Sequence, residues 1–399
     1  MIFPLTNPVR PYAWGSRTVL PELLGEPSPA PEPRAELWMG AHSTGPSRLP
    51  NGEPLDKRIA ADPVGELGEH TVAELGTTLP FLAKLLAAEA PLSLQAHPTT
   101  ELARAGYAAE EAAGIPPDDP RRNYPDPQHK PELICAVTPF TGLIGFRDVA
   151  ETRRLLAELA VPELAAYDAV LAERPDEAGL RQVVGGLLAL DPPERGPLVA
   201  AVGAACGVGG GEFAPEKARV ADLAAAYPDD AGVVVALLMN LVRLAPGQAV
   251  FLPAGNLHAY LDGFGVEVLV NSDNVLRGGL TGKHVDVPEL LRVLDPVPGL
   301  PPVQSGRALP NGEHVYDVPA KEFRLSRITV ADDAVTVDAA GPQIFVALSG
   351  TVRVEQDAES VGLAPGRSAY LPAGGGPVTV TGSGTAYRVT TNLAAPGTP

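Results

Sequence analysis

Cysteine is nearly missing: Cys135 and Cys206 are the only two in 399 residues. Two thiols make no disulfide framework, so the fold must be held by its own cores, and a reducing compartment suits it. Aromatic residues are scarce at 5%, whereas 42 Gly and 44 Pro supply small-residue packing and tight turns. No apolar run reaches the ~20 residues that a membrane helix needs. The opening residues Met1 to Pro8 lack both a basic and an apolar segment, so no secretory leader is expected and the chain reads as a soluble, cytoplasmic protein. Positive charge is also in short supply, with 30 Lys and Arg against 48 Asp and Glu and a net charge of −18. That balance disfavours nucleic acid and anionic membrane as partners, because both require a basic footprint. A small anionic substrate fits only if basic side chains gather at one site.

Hydrophobic residues make up 45% of the chain and charged residues 20%, an ordinary globular composition. The length exceeds one hydrophobic core, so two or three packed units are expected. Short β-prone runs broken by Pro and Gly fill residues 1–147, with a helical interlude near Thr99 to Ala113. Ala, Leu, Glu and Arg at helical spacing dominate 148–242, and β-prone runs return afterwards.

Residues 244–255 read LAPGQAVFLPAG and residues 363–374 read LAPGRSAYLPAG, identical at eight of twelve positions. Each copy has a Gly turn, a short apolar strand ending in Leu-Pro, and a second Gly turn, the pattern of a strand corner in a jelly roll. The copies part where chemistry would begin, since His258 in the first falls opposite Pro377 in the second. Two related barrels are therefore expected, one of them equipped for a metal. The chain is mainly β with a helical insertion, divided as 1–147 plus 243–300 for the metal-binding barrel, 148–242 for the helices and 301–399 for a barrel lacking ligands.

Four segments carry chemistry. Gly247, Pro253, Gly255 and His258 fit GxxxxxPxGxxH, the second motif of cupin barrels, and strand alternation puts His258 and Tyr260 on one face. In LSLQAH the same alternation groups Ser93, Gln95 and His97 against Leu94 and Ala96. In HKPEL, Pro131 favours extended backbone, so Lys130 and Glu132 face the same way. A carboxylate entering an apolar strand costs several kcal/mol unless it is paired or binds metal. Gln95, His97, Glu132 and His258 thus form a candidate ligand set of two imidazoles, one carboxylate and one amide oxygen. Such a set suits catalytic zinc, with iron, manganese and cobalt open on ligand type alone. Finally, a strand runs from Gly265 into a polar, Gly-rich loop that carries Arg277 and Lys283, cations fit for an anionic group.

The strings YAWGS, ELWMGAH, LSLQAHP, HKPEL, PAGNLHAY and SDNVLRGGLTGK resemble, in order, the characteristic blocks of the type I mannose-6-phosphate isomerases. The resemblance spans about residues 10 to 300, with Gly-Gly after Arg277 where that family more often has Ala-Gly. It implies one zinc per chain on Gln95, His97, Glu132 and His258, and an active-site arginine at Arg277. It also implies mannose 6-phosphate and fructose 6-phosphate as substrates, interconverted through a cis-enediolate. His129, Lys130, Glu267 and Asp273 are the candidates for the base, and Lys84, Lys130 and Lys283 for the phosphate. Trp14 and Tyr260 complete the expected substrate contacts. Two other readings stay open on the residues: a non-catalytic sugar-binding double barrel, and an iron-dependent cupin oxygenase, against which Gln95 stands where a third His would be expected. A nucleotidyltransferase lacks its Gly-rich strand-loop-helix signature. Monomer and homodimer fit equally well.

Overall fold

A computed structural model describes residues 1–331 and 333–394. Two antiparallel β systems and a helical block make up the chain. In the first system the order runs Val303–Gln304, Ala249–Leu252, Glu132–Ala136, His258–Val270, Phe81–Ala88, Glu36–Gly40, Val9–Arg10. The long strand His258–Val270 organises it. Its first half pairs with Gln95 and with Thr141 to Ile144, and its second half lies between Phe81–Ala88 and Glu132–Ala136. The strand bends between the halves at Gly263, where φ is +123° and a Cβ would meet Phe140 Cα and Pro139 O at 2.8 Å. Only glycine accepts both demands, so this position lets one strand serve two walls of a barrel.

The second system orders Phe3–Leu5, Ser368–Leu371, Gln343–Gln356, Val378–Thr390, Arg324–Val330, Glu313–Tyr316 and Arg307–Ala308. Its interior is an apolar cluster that includes Ile328, Phe345, Val352, Val378 and Val380. Both copies of the repeat form the same corner, Met239–Leu244 turning into Ala249–Leu252 and Glu359–Leu363 turning into Ser368–Leu371.

Some strands cross the limits expected from sequence. Phe3–Leu5, expected in the first barrel, pairs with Ser368–Leu371 in the second sheet and covers an edge that would otherwise stay open. Conversely, Val303–Gln304 adds to the first sheet beside Val250 and Ala249. A shared core explains the exchange, since Leu5, Phe81 and Leu133 pack in one cluster with Tyr316, Phe323 and Tyr370. The helix expected near Thr99 to Ala113 is Thr100–Ala112, with the Thr99 hydroxyl accepting from Leu102 N. Three short helices, Leu55–Ala61, Pro63–Leu67 and Glu69–Leu75, carried too little periodicity to be expected.

The helical block opens at Val149–Leu159, capped by the Asp148 carboxylate, and ends in the turn Ala236–Leu238. Strand Met239–Leu244 then begins a few residues before the expected limit and pairs with Phe140–Phe146, so the block leaves and re-enters through neighbouring strands. Its apolar face packs on the back of the first barrel, where Leu94, Ala96, Leu257 and Ala259 join Val183, Val202 and Val220 in one cluster. Among the described residues, no helix is long and apolar enough to cross a membrane.

Candidate metal centre and active site

The site is built where three strands converge inside the first barrel. Gln95 is paired on one side with His258 and on the other with Arg277. Leu94 and Ala96 face the helical block, while Ser93 and Gln95 line a cavity of about 530 Å³. This is the alternation expected for the strand. Glu132 opens the strand Glu132–Ala136 and lines the same cavity at 2% exposure.

His97, Glu132 and His258 present donor atoms that all lie within 4.8 Å of one another, and all three residues are buried. The Nε2 atoms of His97 and His258 each stand 3.3 Å from a different oxygen of Glu132. His97 Nδ1 lies 2.7 Å from the carbonyl of Asn274, and His258 Nδ1 lies 3.0 Å from that of Asn256. A carbonyl only accepts, so both protons sit on Nδ1 and both Nε2 lone pairs point toward the carboxylate. Both Nε2 atoms and Glu132 Oε2 are buried without hydrogen-bond partners among the described residues. Acceptors facing acceptors at this distance repel unless a cation lies between them. The donor set therefore fits a divalent metal of mixed nitrogen and oxygen preference, with Gln95 beside it on the cavity wall.

The titration behaviour agrees with that reading. Burial, followed by the Lys130 ammonium, pushes His97 down to about 4, so the ring is neutral and ready to ligate at neutral pH. Burial raises the Glu132 carboxyl, but the Lys130 ammonium outweighs it and holds the group well below its ordinary range. Lys130 Nζ lies 3.0 Å from Glu132 Oε1.

Most of the other expected residues line the cavity: Trp14, Lys84, Lys130, Glu267, Asp273, Arg277 and Lys283. Lys84 is committed, with Nζ 3.0 Å from Glu267 and 3.6 Å from Glu36. Burial and the neighbouring carboxylates Glu132 and Glu36 raise Glu267, although Lys84 pulls the other way. Arg277 and Lys283 have no carboxylate partner among the described residues. Burial lowers both, and the Arg277 charge lowers Lys283 further.

Two expected residues lie elsewhere. His129 Nε2 sits 2.8 Å from Glu322, in the segment leading into the second barrel. The reason is the period of two: with Lys130 and Glu132 facing the cavity, residue 129 must face away. Tyr260 is fully buried, packed edge-on to Phe140 at 5.2 Å, and does not line the cavity.

The structure also brings in residues without an earlier assigned role. Glu36 and Trp38 line the cavity, and Trp38 Nε1 donates to Glu36 Oε2 at 2.6 Å. The fully buried strand Glu36–Gly40 carried a charge in an apolar string, a signal like the one used for Glu132. His42 Nδ1 lies 3.2 Å from the Thr44 N–H, which leaves its Nε2 proton for Asp273 Oδ2 at 3.2 Å. Asp126 accepts from the Ser272 hydroxyl at 2.9 Å, Asp273 N at 2.8 Å and Gln128 N at 2.9 Å. Its carbonyl accepts from Asn274 Nδ2 at 2.8 Å. One residue thus shapes the loop that offers Asp273 to the cavity and the Asn274 carbonyl to His97.

A buried imidazole–carboxylate centre inside one of two jelly-roll barrels defines a cupin-type metalloprotein. Residues 2–149 match the catalytic domain of type I phosphomannose isomerases, and residues 314–391 match the mannose-6-phosphate isomerase cupin domain. The chain is 38% identical over 401 residues to mannose-6-phosphate isomerase of Escherichia coli K12, covering 98% of this chain and 99% of that one. Against the Homo sapiens enzyme of that name identity is 31%, over 82% of each chain. An alanine variant of Salmonella typhimurium phosphomannose isomerase superposes with a TM-score of 0.91 at 36% identity, covering 98% of this chain and all of that one. A mannose 6-phosphate isomerase crystallised with zinc and yttrium superposes with a TM-score of 0.90 at the same identity and coverage. This chain belongs to the type I mannose-6-phosphate isomerase family.

Proposed function

We propose that this chain interconverts mannose 6-phosphate and fructose 6-phosphate, moving a proton between C1 and C2 through a cis-enediolate. The observation that carries this reading is the buried cluster His97, Glu132 and His258, set beside a cavity lined by cations in a family member matched along almost its whole length. One zinc per chain is proposed, held by those three residues and Gln95. When bound, it supplies the Lewis acidity that polarises the sugar oxygens at C1 and C2.

The side chains divide the remaining work. Glu267, buried and held by Lys84, carries the proton between the two carbons. Asp273, fixed by His42, is the alternative carrier. Lys130 neutralises Glu132 and keeps it ionised. Arg277, half-buried and without an ion partner among the described residues, meets the negative charge that develops on the enediolate. With Lys84 and Lys130 committed to carboxylates, Lys283 is left for the phosphate. Trp14, stacked on Tyr12 at 5.7 Å, offers an aromatic face to the sugar. A cytoplasmic location belongs to the same proposal and is supported by two cysteines that are buried and free.

The test is a coupled assay on mannose 6-phosphate with and without a chelator: activity abolished by chelation and restored by zinc is expected. Absence of turnover in zinc-loaded protein would instead favour a non-catalytic binding protein. Arg277→Ala should lower kcat by about 10²–10³-fold, the usual loss for one transition-state donor, with zinc content unchanged. Unaltered kcat would remove Arg277 from the chemistry. Asp126→Ala should loosen the carbonyl support of His97 and weaken metal affinity about 10–100-fold, as losses of supporting partners typically do. Competition with a fluorescent chelator measures this, and equal affinities would refute it.

A further inference from the structure

One carboxylate of the helical block holds a loop of the active site. Asp230 lies between the helix Ala214–Ala226 and the turn beginning at Gly232. Its Oδ1 accepts from Gly232 N at 2.7 Å, and its Oδ2 accepts from Thr281 N at 3.1 Å. The Thr281 hydroxyl accepts in turn from Lys283 N at 3.1 Å. A two-step relay therefore runs from the helical block to the backbone of Lys283. The segment it grips is strained at Leu280, a residue with a Cβ held at φ +54° next to Gly279. The approach is also close, because a Cβ on Gly232 would meet Gly279 Cα at 2.9 Å and Leu280 N at 3.0 Å. Left to itself, a leucine would abandon the left-handed region, and the loop carrying Lys283 would relax with it.

We infer that Asp230 is a positioning residue: it holds the 279–283 loop so that Lys283 is preorganised for the substrate phosphate, and it makes the helical block part of substrate recognition. This rests on the assignment of Lys283 to the phosphate given above. Asp230 lines neither the active-site cavity nor the metal cluster, so its loss should act on phosphate recognition and leave the proton transfer alone.

The experiment compares zinc-loaded wild type with Asp230→Ala and Asp230→Asn. Steady-state kinetics on mannose 6-phosphate are combined with calorimetric binding of inorganic phosphate. Asp230→Ala should raise KM and the phosphate Kd together by on the order of tenfold, the cost of one charge-assisted hydrogen bond, with kcat within about twofold. Zinc content should not change. Asp230→Asn, with one oxygen for two N–H groups, should fall between. If Asp230→Ala does not fold, Gly232→Ala serves, because its methyl presses on Gly279 and Leu280 and should raise both constants. Lower melting temperatures with KM and phosphate Kd unmoved would show a merely structural residue and overturn the inference. Wild type that binds phosphate but turns over no sugar would overturn the isomerase reading instead, and the phosphate Kd of the variants would still judge Asp230.

Discussion

His258→Ala is expected to purify with almost no zinc and to lose isomerase activity by at least about 10³-fold, since the electrostatic help of a catalytic metal is worth several kcal/mol. The position explains why the loss should be large. His258 is buried, its Nδ1 is held by the Asn256 carbonyl, and its Nε2 can only point at Glu132. Removing it leaves His97 and Glu132 as the imidazole and carboxylate donors of an incomplete site. The fold should survive, because the strand His258–Val270 keeps its backbone pairing to three neighbours beyond position 258. Far-ultraviolet circular dichroism of the variant should match wild type. Elemental analysis beside the coupled assay reads both quantities, and a variant that retained a full equivalent of zinc and its turnover would remove His258 from the centre.

Glu267→Gln is expected to lower kcat by about 10³-fold, within the span usual for a lost general base, while zinc stays bound. The substitution keeps the shape of the side chain and removes its charge, and with it the proton acceptor. Lys84 then loses its partner at 3.0 Å and keeps Glu36 at 3.6 Å, so some loss of stability accompanies the loss of rate. Exchange of the substrate's C2 proton with solvent separates the two effects: it should cease in the variant even under conditions where the protein is fully folded. Exchange at the wild-type rate would move the proton to Asp273 or Lys130, the other titratable candidates on the cavity wall.

How much of this was legible in the amino acids depended on whether the cause was local. Alternation along a strand needs no tertiary information, and it correctly separated Gln95 from Leu94 and Ala96 and put Lys130 beside Glu132. Applied one residue further, it would also have turned His129 away, toward Glu322. The repeated LAPG corners were visible for the same reason, because turn chemistry is written in four or five neighbouring residues. Pairings between distant strands were not. Phe3–Leu5 covers the edge of the far barrel because of a core shared across the chain, which no local pattern reports. Asp126 stayed hidden because NYPDPQ reads as a turn; its role comes from bonds to residues almost 150 positions away. Glu36, Trp38 and His42 stood inside a noticed block, yet their use depends on Lys84 and Asp273 reaching them from other segments.

The central claim is that four side chains from distant strands grip one cation inside the first barrel. Anomalous diffraction from crystals of the zinc-loaded protein, collected on both sides of the zinc edge, tests it most directly. One strong peak per chain is expected within about 2.0–2.2 Å of His97 Nε2, His258 Nε2 and oxygens of Glu132 and Gln95. Zinc seated anywhere else, or a peak that leaves either imidazole uncoordinated, would contradict it.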